Sequence, residues 1–457
     1  MTKNQKLILL TAILASFVAF LDGSVVGVAL PQISEELGSG LSTQQWVNDA
    51  YLITLGTLIL AAGSLSDIFG RKKIITIGLY GFLVTSILCA VAPNAELLIV
   101  SRALQGMAGA LLVPSSLALI ISAFTGKSQS KAIGSWTAWT GIAFIVGPLV
   151  GGLLVDNVSW RYIFVINILP IVAALLILKK ATLSEQLKVS KKVDVTGVVL
   201  GALSLGGIVY ALIEQGNYGW MSPAVWAPFV SGVILMIWFI YHERTVDQPM
   251  LPLNLFAVRN FSAGNIATFL IYAALSLQGF LLVIFLQQVA GYSATLAGLV
   301  SLPITFIMFF LSSKFGTLSG TYGPRLFMTV GPIIAGLGTL YMLSVQLPVN
   351  YWVQLLPGIL LFGLGLSITV APLTSAILGS IQSSQAGIGS AVNNAVSRIA
   401  GLIAVAVIGI FIGTSVDLNG FHIGMVLCAI LLITGGIVSF IGIENKTAHA
   451  ANDKNFA

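Results

Sequence analysis

Charge is scarce in this chain: Asp, Glu, Lys and Arg together make up 8% of its 457 residues. Soluble domains carry about a quarter of their residues as charge, so a water-facing enzyme or binding module of this length is excluded. Cysteine and histidine are scarce too. Cys89 and Cys428 lie in apolar segments and read as small core residues, with no disulfide framework or metal spacing. His242, His422 and His449 fall near segment ends or in the tail, where a structural or solvated role fits. No G-x-x-x-x-G-K-[ST] loop occurs, which argues against ATP-driven work. No apolar segment holds a catalytic pair or a metal cluster, so no catalysis and no cofactor is expected.

What is abundant is apolar: 57% of the residues are hydrophobic and the mean hydropathy is +1.00. Fourteen segments approach the roughly 20 residues that cross a bilayer as a helix. They cover about 6–30, 45–66, 73–92, 97–120, 131–154, 161–178, 194–213, 224–241, 262–286, 295–313, 325–345, 351–376, 387–412 and 421–442. The fold class is therefore an all-α polytopic membrane protein. Of the 21 Lys and Arg residues, all but Arg102, Arg161 and Arg398 fall at one set of segment ends, while Glu35, Glu36, Glu96, Asp156, Glu214 and Asp417 mark the other. The positive-inside rule places both termini in the cytoplasm, which requires an even number of spans. The net charge of +6 is scattered over these loops, which suits topology and anionic headgroups rather than nucleic acid. The first segment is too long for a cleaved signal peptide and lacks a small-residue site before Glu35 and Glu36.

An internal repeat is visible. Gly63-Ser-Leu-Ser-Asp67-Ile-Phe-Gly70-Arg71-Lys72 follows the second span, and Gly316-Thr-Leu-Ser-Gly320-Thr-Tyr-Gly323-Pro-Arg325 follows the tenth. The glycines and the final basic residue coincide at one offset. Such repetition suits two helical halves related by an axis along the membrane normal. The expected organisation is a six-helix bundle over 1–180, a linker with two further spans over 181–245, a second six-helix bundle over 246–443 and a cytoplasmic tail over 444–457. The stretch from His242 to Asn260, with its two prolines, suggests a loop with a short interfacial helix.

Asp22 stands about two-thirds along an otherwise uncharged apolar segment. A carboxylate at such depth costs several kcal/mol unless protonated, paired or wet, so it is a functional candidate. Arg102, inside the fourth span, needs a carboxylate or water for the same reason. With the first span running outward and the second and fourth inward, Asp22, Asp49 and Arg102 share the outer half of the first bundle. The trio carries a net −1 that one proton or a cationic substrate would neutralise. Asp49 also reads as a solvated acid at a helix start. In the loop, Gly63 and Gly70 allow a tight turn, Asp67 can accept hydrogen bonds from a facing helix end, and Arg71 and Lys72 can pair with acids or headgroups. In the fifth span, Gly141, Gly147, Pro148, Gly151 and Gly152 form a small face that lets helix backbones approach.

Together these strings resemble the major facilitator superfamily. Its hallmark loop between the second and third helices reads G-x-x-x-D-x-x-G-R-K, matched in full by Gly63, Asp67, Gly70, Arg71 and Lys72. The R-x-x-Q-G pattern at Arg102 to Gly106 is similar to that of its fourth helix, where the Arg is associated with proton coupling. Gly147-Pro148 with Gly151 and Gly152 resembles the motif of its antiporter branches, as does the string from Trp160 to Asn167. Leu21-Asp22 through Ala29-Leu30-Pro31 narrows the resemblance to the fourteen-helix drug:proton antiporters, although Gly27 stands where that branch often has Asn. The resemblance implies a monomeric, plasma-membrane exporter of hydrophobic, often cationic, drugs, driven by protons. A dedicated exporter of one metabolite, peptide or antibiotic would share the scaffold, and a channel would conduct without proton exchange. By the same resemblance Phe20, Tyr51, Trp136, Trp139, Gln278 and Phe280 lie in cavity-lining spans, where aromatic walls suit flat cations; taken singly, each is better explained by ordinary packing or a lipid-facing surface. Asn394 and Arg398, four apart on one face, either line that cavity or brace the cytoplasmic half.

Overall fold

A computed structural model of the protein describes residues 1–38, 40–182, 193–382 and 385–445, with the side chains of Ser64, Asp67, Lys127 and Ser130 left out. The expected cytoplasmic tail beyond 445, with His449, and residues 183–192 of the expected 181–245 linker lie outside the described residues. Among the described residues every extended element is helical: α1 (Lys3–Glu36), α2 (Leu41–Phe69), α3 (Arg71–Ala90), α4 (Ala95–Ala123), α5 (Gly126–Asn157), α6 (Tyr162–Val165), α7 (Ile168–Lys180), α8 (Val195–Tyr218), α9 (Pro223–Thr245), α10 (Arg259–Gln288), α11 (Ala294–Val300), α12 (Leu302–Tyr322), α13 (Pro324–Tyr341), α14 (Leu356–Leu378), α15 (Ala386–Ile412) and α16 (Leu418–Gly442). Among the described residues they make fourteen helical spans long and apolar enough to cross a membrane, α6 with α7 and α11 with α12 each forming one. A membrane leaves backbone groups no water to bond, so only internally bonded helices satisfy so apolar a chain. The short helix expected in the loop after the eighth span is a 3-10 turn, Leu253–Ala257.

Local chemistry sets the helix ends. Thr2 and Gln5 form a reciprocal capping box at α1, with Gln5 N donating to Thr2 Oγ1 at 3.2 Å and Thr2 N to Gln5 Oε1 at 3.0 Å. Asn94, Asp194, Ser222 and Ser293 cap α4, α8, α9 and α11. The two repeated loops end on glycines in the same unusual backbone state: Gly70 at φ 92°, ψ 136° and Gly323 at φ 84°, ψ 153°. Only glycine adopts it without steric cost. Gly70→Ala is therefore expected to cost about 1–3 kcal/mol, read as a lower melting temperature. Gly63→Ala, where nothing lies within 4 Å of the added carbon, should be neutral in the same assay.

The repeat extends to contacts that sequence comparison does not reveal. Asn4, at the start of α1, exchanges two hydrogen bonds with Thr182 beyond α7, at 2.7 and 2.9 Å, while Lys72 Nζ donates to Ala181 O at 2.7 Å. In the second half, Asn260 at the start of α10 exchanges the same pair with Glu444 beyond α16, both at 2.9 Å, and Arg325 Nε donates to Phe440 O at 2.7 Å. Each half thus closes its last helix on its first with an amide, and covers the exposed carbonyl end with a cation.

By packing, the chain forms two compact units. One comprises 1–252, 276–301 and 401–424; the other comprises 253–275, 302–400 and 425–457. In the first, a core of Tyr51, Leu55, Leu79, Phe82, Leu112 and Ile171 knits α1 to α4 and α7. Gln45 Nε2 donates to Val405 O at 2.6 Å and Gln287 Nε2 to Val28 O at 2.9 Å, and Phe285 stacks on Phe421 with centroids 4.2 Å apart. In the second, α13 and α14 cross on paired glycines: a β-carbon on Gly358 would lie 2.6 Å from Gly338 O, and one on Gly338 2.6 Å from Gly358 O. Such backbone-to-backbone approach is how helices associate where lipid removes the hydrophobic incentive.

Candidate functional site

A buried cluster of polar side chains in the first unit is sealed from solvent. Asp22 on α1 is fully buried, and Arg102 on α4 is 1% exposed. Arg102 Nη1 donates to Asp22 Oδ2 at 2.6 Å, and to Gln105 Oε1 at 2.6 Å. The other carboxylate oxygen, Asp22 Oδ1, accepts from Gln105 Nε2 at 3.0 Å and from Asn167 Nδ2 at 2.9 Å. Ser86 on α3 backs both amides, accepting from Gln105 at 3.0 Å and Asn167 at 3.4 Å. Arg102 Nε donates to Val47 O at 3.1 Å, and its guanidinium lies 4.3 Å from the centroid of the Tyr51 ring. A buried pair of charges requires partners of this kind, since an unmet charge would cost several kcal/mol. Both Asp22 oxygens and Arg102 Nε and Nη1 have them, while Asn167 Oδ1 is buried with no hydrogen-bond partner among the described residues.

The positions follow from helix geometry. Arg102 and Gln105 are three apart on α4 and therefore share the face that meets α1. Asn167 sits in the break between α6 and α7, where its side chain turns inward. In the sequence Gln105 and Asn167 stand out only as motif letters and Ser86 not at all; the signal for all three is a polar side chain inside an otherwise apolar span.

Asp49 is placed differently from the expected trio. It is fully buried, its Oδ1 accepts from Asn48 Nδ2 at 2.8 Å, and its Oδ2 has no hydrogen-bond partner among the described residues. Neither Asp22 nor Arg102 bonds it. The reason is rotation about α2. Val47, Tyr51 and Thr54 point at α4, Thr54 Oγ1 donating to Ala103 O at 2.7 Å. Asp49, two residues from Val47, is turned by about 200° at ~100° per residue. Depth alone grouped the three residues; helical phase separates one of them.

The small face of α5 meets two neighbours. Added β-carbons on Gly147 and Gly151 would strike Ser24 and Val25 of α1; one on Gly152 would lie 2.5 Å from Thr295 Cα and 2.7 Å from its nitrogen. Gly298 of α11 packs on the Pro148 carbonyl, 2.6 Å from where its β-carbon would stand. Gly141 has open space beside it. At the end of α5, Asp156 holds the start of α11, Oδ1 accepting from Ala294 N at 2.9 Å and Oδ2 from Thr295 N at 2.8 Å.

In the loop, Gly70 makes the turn and Lys72 covers α7 as described; Gly63 is exposed, Arg71 is half-buried, and the Asp67 side chain lies outside the described residues. Of the candidate cavity residues, Tyr51 belongs to the Arg102 cluster. Trp136 Nε1 donates to Ser16 Oγ at 3.0 Å, Phe20 meets Phe144 with centroids 5.6 Å apart, and Trp139 is 52% exposed. Gln278 and Phe280 are buried. In the second unit Asn394 is exposed, bonded to Ser390 O at 3.1 Å, and Arg398 is half-buried. Among the described residues no group of three His, Cys, Asp or Glu side chains could hold a metal ion.

Comparison with known proteins accounts for nearly all of the chain. The methylenomycin A resistance protein of Bacillus subtilis (strain 168) is 34% identical over 449 residues, covering 96% of this chain and 95% of the relative. Multidrug resistance protein Stp of Mycobacterium tuberculosis (strain CDC 1551 / Oshkosh) is 32% identical over 411 residues, covering 90% and 76%. Among solved structures, the peptide transporter POT in complex with sulfate superposes with a TM-score of 0.71 over 96% of this chain and 94% of its own, at 15% identity, which speaks to the fold alone. The model of the Major Facilitator Superfamily matches residues 12–405. Fourteen helical spans, that match and those relatives make this multi-pass membrane protein a transporter and a member of the Major Facilitator Superfamily.

Proposed function

We propose that the chain is a proton-coupled antiporter that exports hydrophobic, often cationic, drugs by alternating access. The observation that carries this reading is the buried Asp22–Arg102 pair, 2.6 Å apart and closed to water. The Asp22 carboxylate accepts two hydrogen bonds at Oδ1 and one at Oδ2, so a proton on Oδ1 displaces an amide donor and a proton on either oxygen removes the charge that holds Arg102. Arg102 would then rest on Gln105, Val47 O and the Tyr51 face, and the ionic tie between α1 and α4 would be released. Protonation thus favours one arrangement of the helices and the ionised pair another, which is the differential binding that exchange transport requires. Asp49 is a second candidate proton or cation site. The loop from Gly63 to Lys72 acts as a cytoplasmic gate, and the α5 small face as the antiporter element. Phe20, Trp136, Trp139, Gln278, Phe280, Asn394 and Arg398 are candidate substrate contacts.

In this reading both termini lie in the cytoplasm and the chain works as a monomer in the plasma membrane. The bundles 1–180 and 246–443 move against each other, with 181–245 as linker. Multidrug resistance in the name of one relative supports a broad substrate range. The 34% identity to a methylenomycin A resistance protein favours a second reading, a dedicated exporter of one antibiotic. Ethidium uptake into inverted vesicles carrying the protein tests the first: an acidic lumen should drive uptake and a protonophore should abolish it. Uptake indifferent to the gradient would overturn proton coupling, and uptake of a single antibiotic from a mixed panel would establish the narrow reading.

A further inference from the structure

A second carboxyl site lies where α8 begins and α9 ends. Asp194 caps α8, its Oδ1 accepting from Gly197 N at 2.8 Å and lying 2.8 Å from His242 Nε2. Glu243, on α9, accepts from Leu251 N through Oε2 at 2.8 Å. The remaining oxygens, Asp194 Oδ2 and Glu243 Oε1, are buried and have no hydrogen-bond partner. The side chain of Asp194 is 3% exposed and Glu243 is 2% exposed. Both orphan oxygens converge on Gly197: a β-carbon there would lie 2.5 Å from Glu243 Oε1 and would collide with Asp194 Oδ2. The same stretches of α8 and α9 carry an apolar cluster of Leu200, Phe239 and Met250, with Val198, Leu251 and Leu60 of α2 packed against it. Among the described residues, His242 is the titratable group facing the pair; Arg244 and Asp247 are exposed.

Two carboxylate oxygens facing each other in an apolar pocket repel, and neither can donate. A single proton between them removes one charge and supplies the missing hydrogen bond. We infer that Asp194 and Glu243 form a proton-binding site in which one proton bridges Asp194 Oδ2 and Glu243 Oε1. The bound proton ties the ends of α8 and α9 to each other and, through Leu251, to the connection that leads into α10. These ends lie on the side of the chain's N-terminus, which the proposed orientation makes cytoplasmic. The site then reads internal pH: rising pH removes the proton and loosens the two central helices. The site itself rests on geometry and does not depend on the antiport reading.

The test is a pH titration of the purified full-length protein by infrared difference spectroscopy, with its thermal stability followed in parallel. Wild type should show a protonated-carboxyl band that disappears as pH rises, together with a fall in melting temperature. Glu243→Gln and Asp194→Asn each place an amide donor between the oxygens; either should remove that band and the alkaline loss of stability. The band should survive in Asp22→Asn, which separates this site from the transport proton. A band unchanged in both amide variants would overturn the site. So would alkaline stability that follows sodium or potassium concentration rather than pH, because a metal cation would then be the bridge.

Discussion

Asp22→Asn is expected to abolish gradient-driven export and to lower thermal stability in the same protein. The asparagine keeps the shape and one acceptor, but leaves the Arg102 guanidinium 1% exposed with no counter-charge. Removing one partner of a buried pair costs about 3–5 kcal/mol, because the other charge stays buried and unpaired. A thermal shift in detergent reads that loss, and the vesicle assay reads export. Removing both charges, as Asp22→Asn with Arg102→Met, should recover much of the stability, since well-packed apolar replacements of buried pairs are often neutral. It should not recover export, because no group is left to take the proton. Stability and transport thereby come apart, which a purely structural ion pair would not produce. Full export by Asp22→Asn under a pH gradient would remove Asp22 from the coupling mechanism.

Gly152→Val should have the next largest effect, through the contact between α5 and α11. The added side chain meets Thr295 backbone at 2.5–2.7 Å and Ala294 O at 2.8 Å, atoms that cannot rotate away. Overpacking of this kind typically costs about 1–3 kcal/mol, a shift of roughly 5–150-fold between states with and without the contact. The reporter is Ala294→Cys, buried beside Gly152 and judged against native Cys89 and Cys428, which are themselves fully buried. With Gly152 intact, an impermeant maleimide should label it slowly. In the Gly152→Val background labelling should rise by about the same factor as the population shift, and export should fall. Unchanged labelling with unchanged export would mean that this contact does not gate anything.

The membrane made the spans legible. Length and hydropathy decide a crossing helix almost alone, and the fourteen segments read from sequence correspond to fourteen helical spans. Cost made Asp22 and Arg102 conspicuous, since a deep charge in lipid demands a reason. Gln105, Asn167 and Ser86 were hard to single out because buried amides and hydroxyls are cheaper and commoner. The orientation of Asp49 was not legible at all: depth along a helix follows from counting, whereas its facing depends on how α2 is rotated against α4. The pair formed by Asp194 and Glu243 was hidden for another reason. Its members are 49 positions apart and sit at helix ends, where an acid ordinarily means a solvated cap.

The two halves repeat the same turn and the same clamp, but their chemistry is lopsided. Between Asp247 and Asp417 the chain contains no acidic residue. A proton entering the spans of the second half therefore finds no carboxylate to hold it there. In the proposed exporter, energy is received in one half, and the other follows passively. That division leaves the passive half free to vary: cargo preference can drift through amide and aromatic substitutions there without touching the group that is charged and discharged.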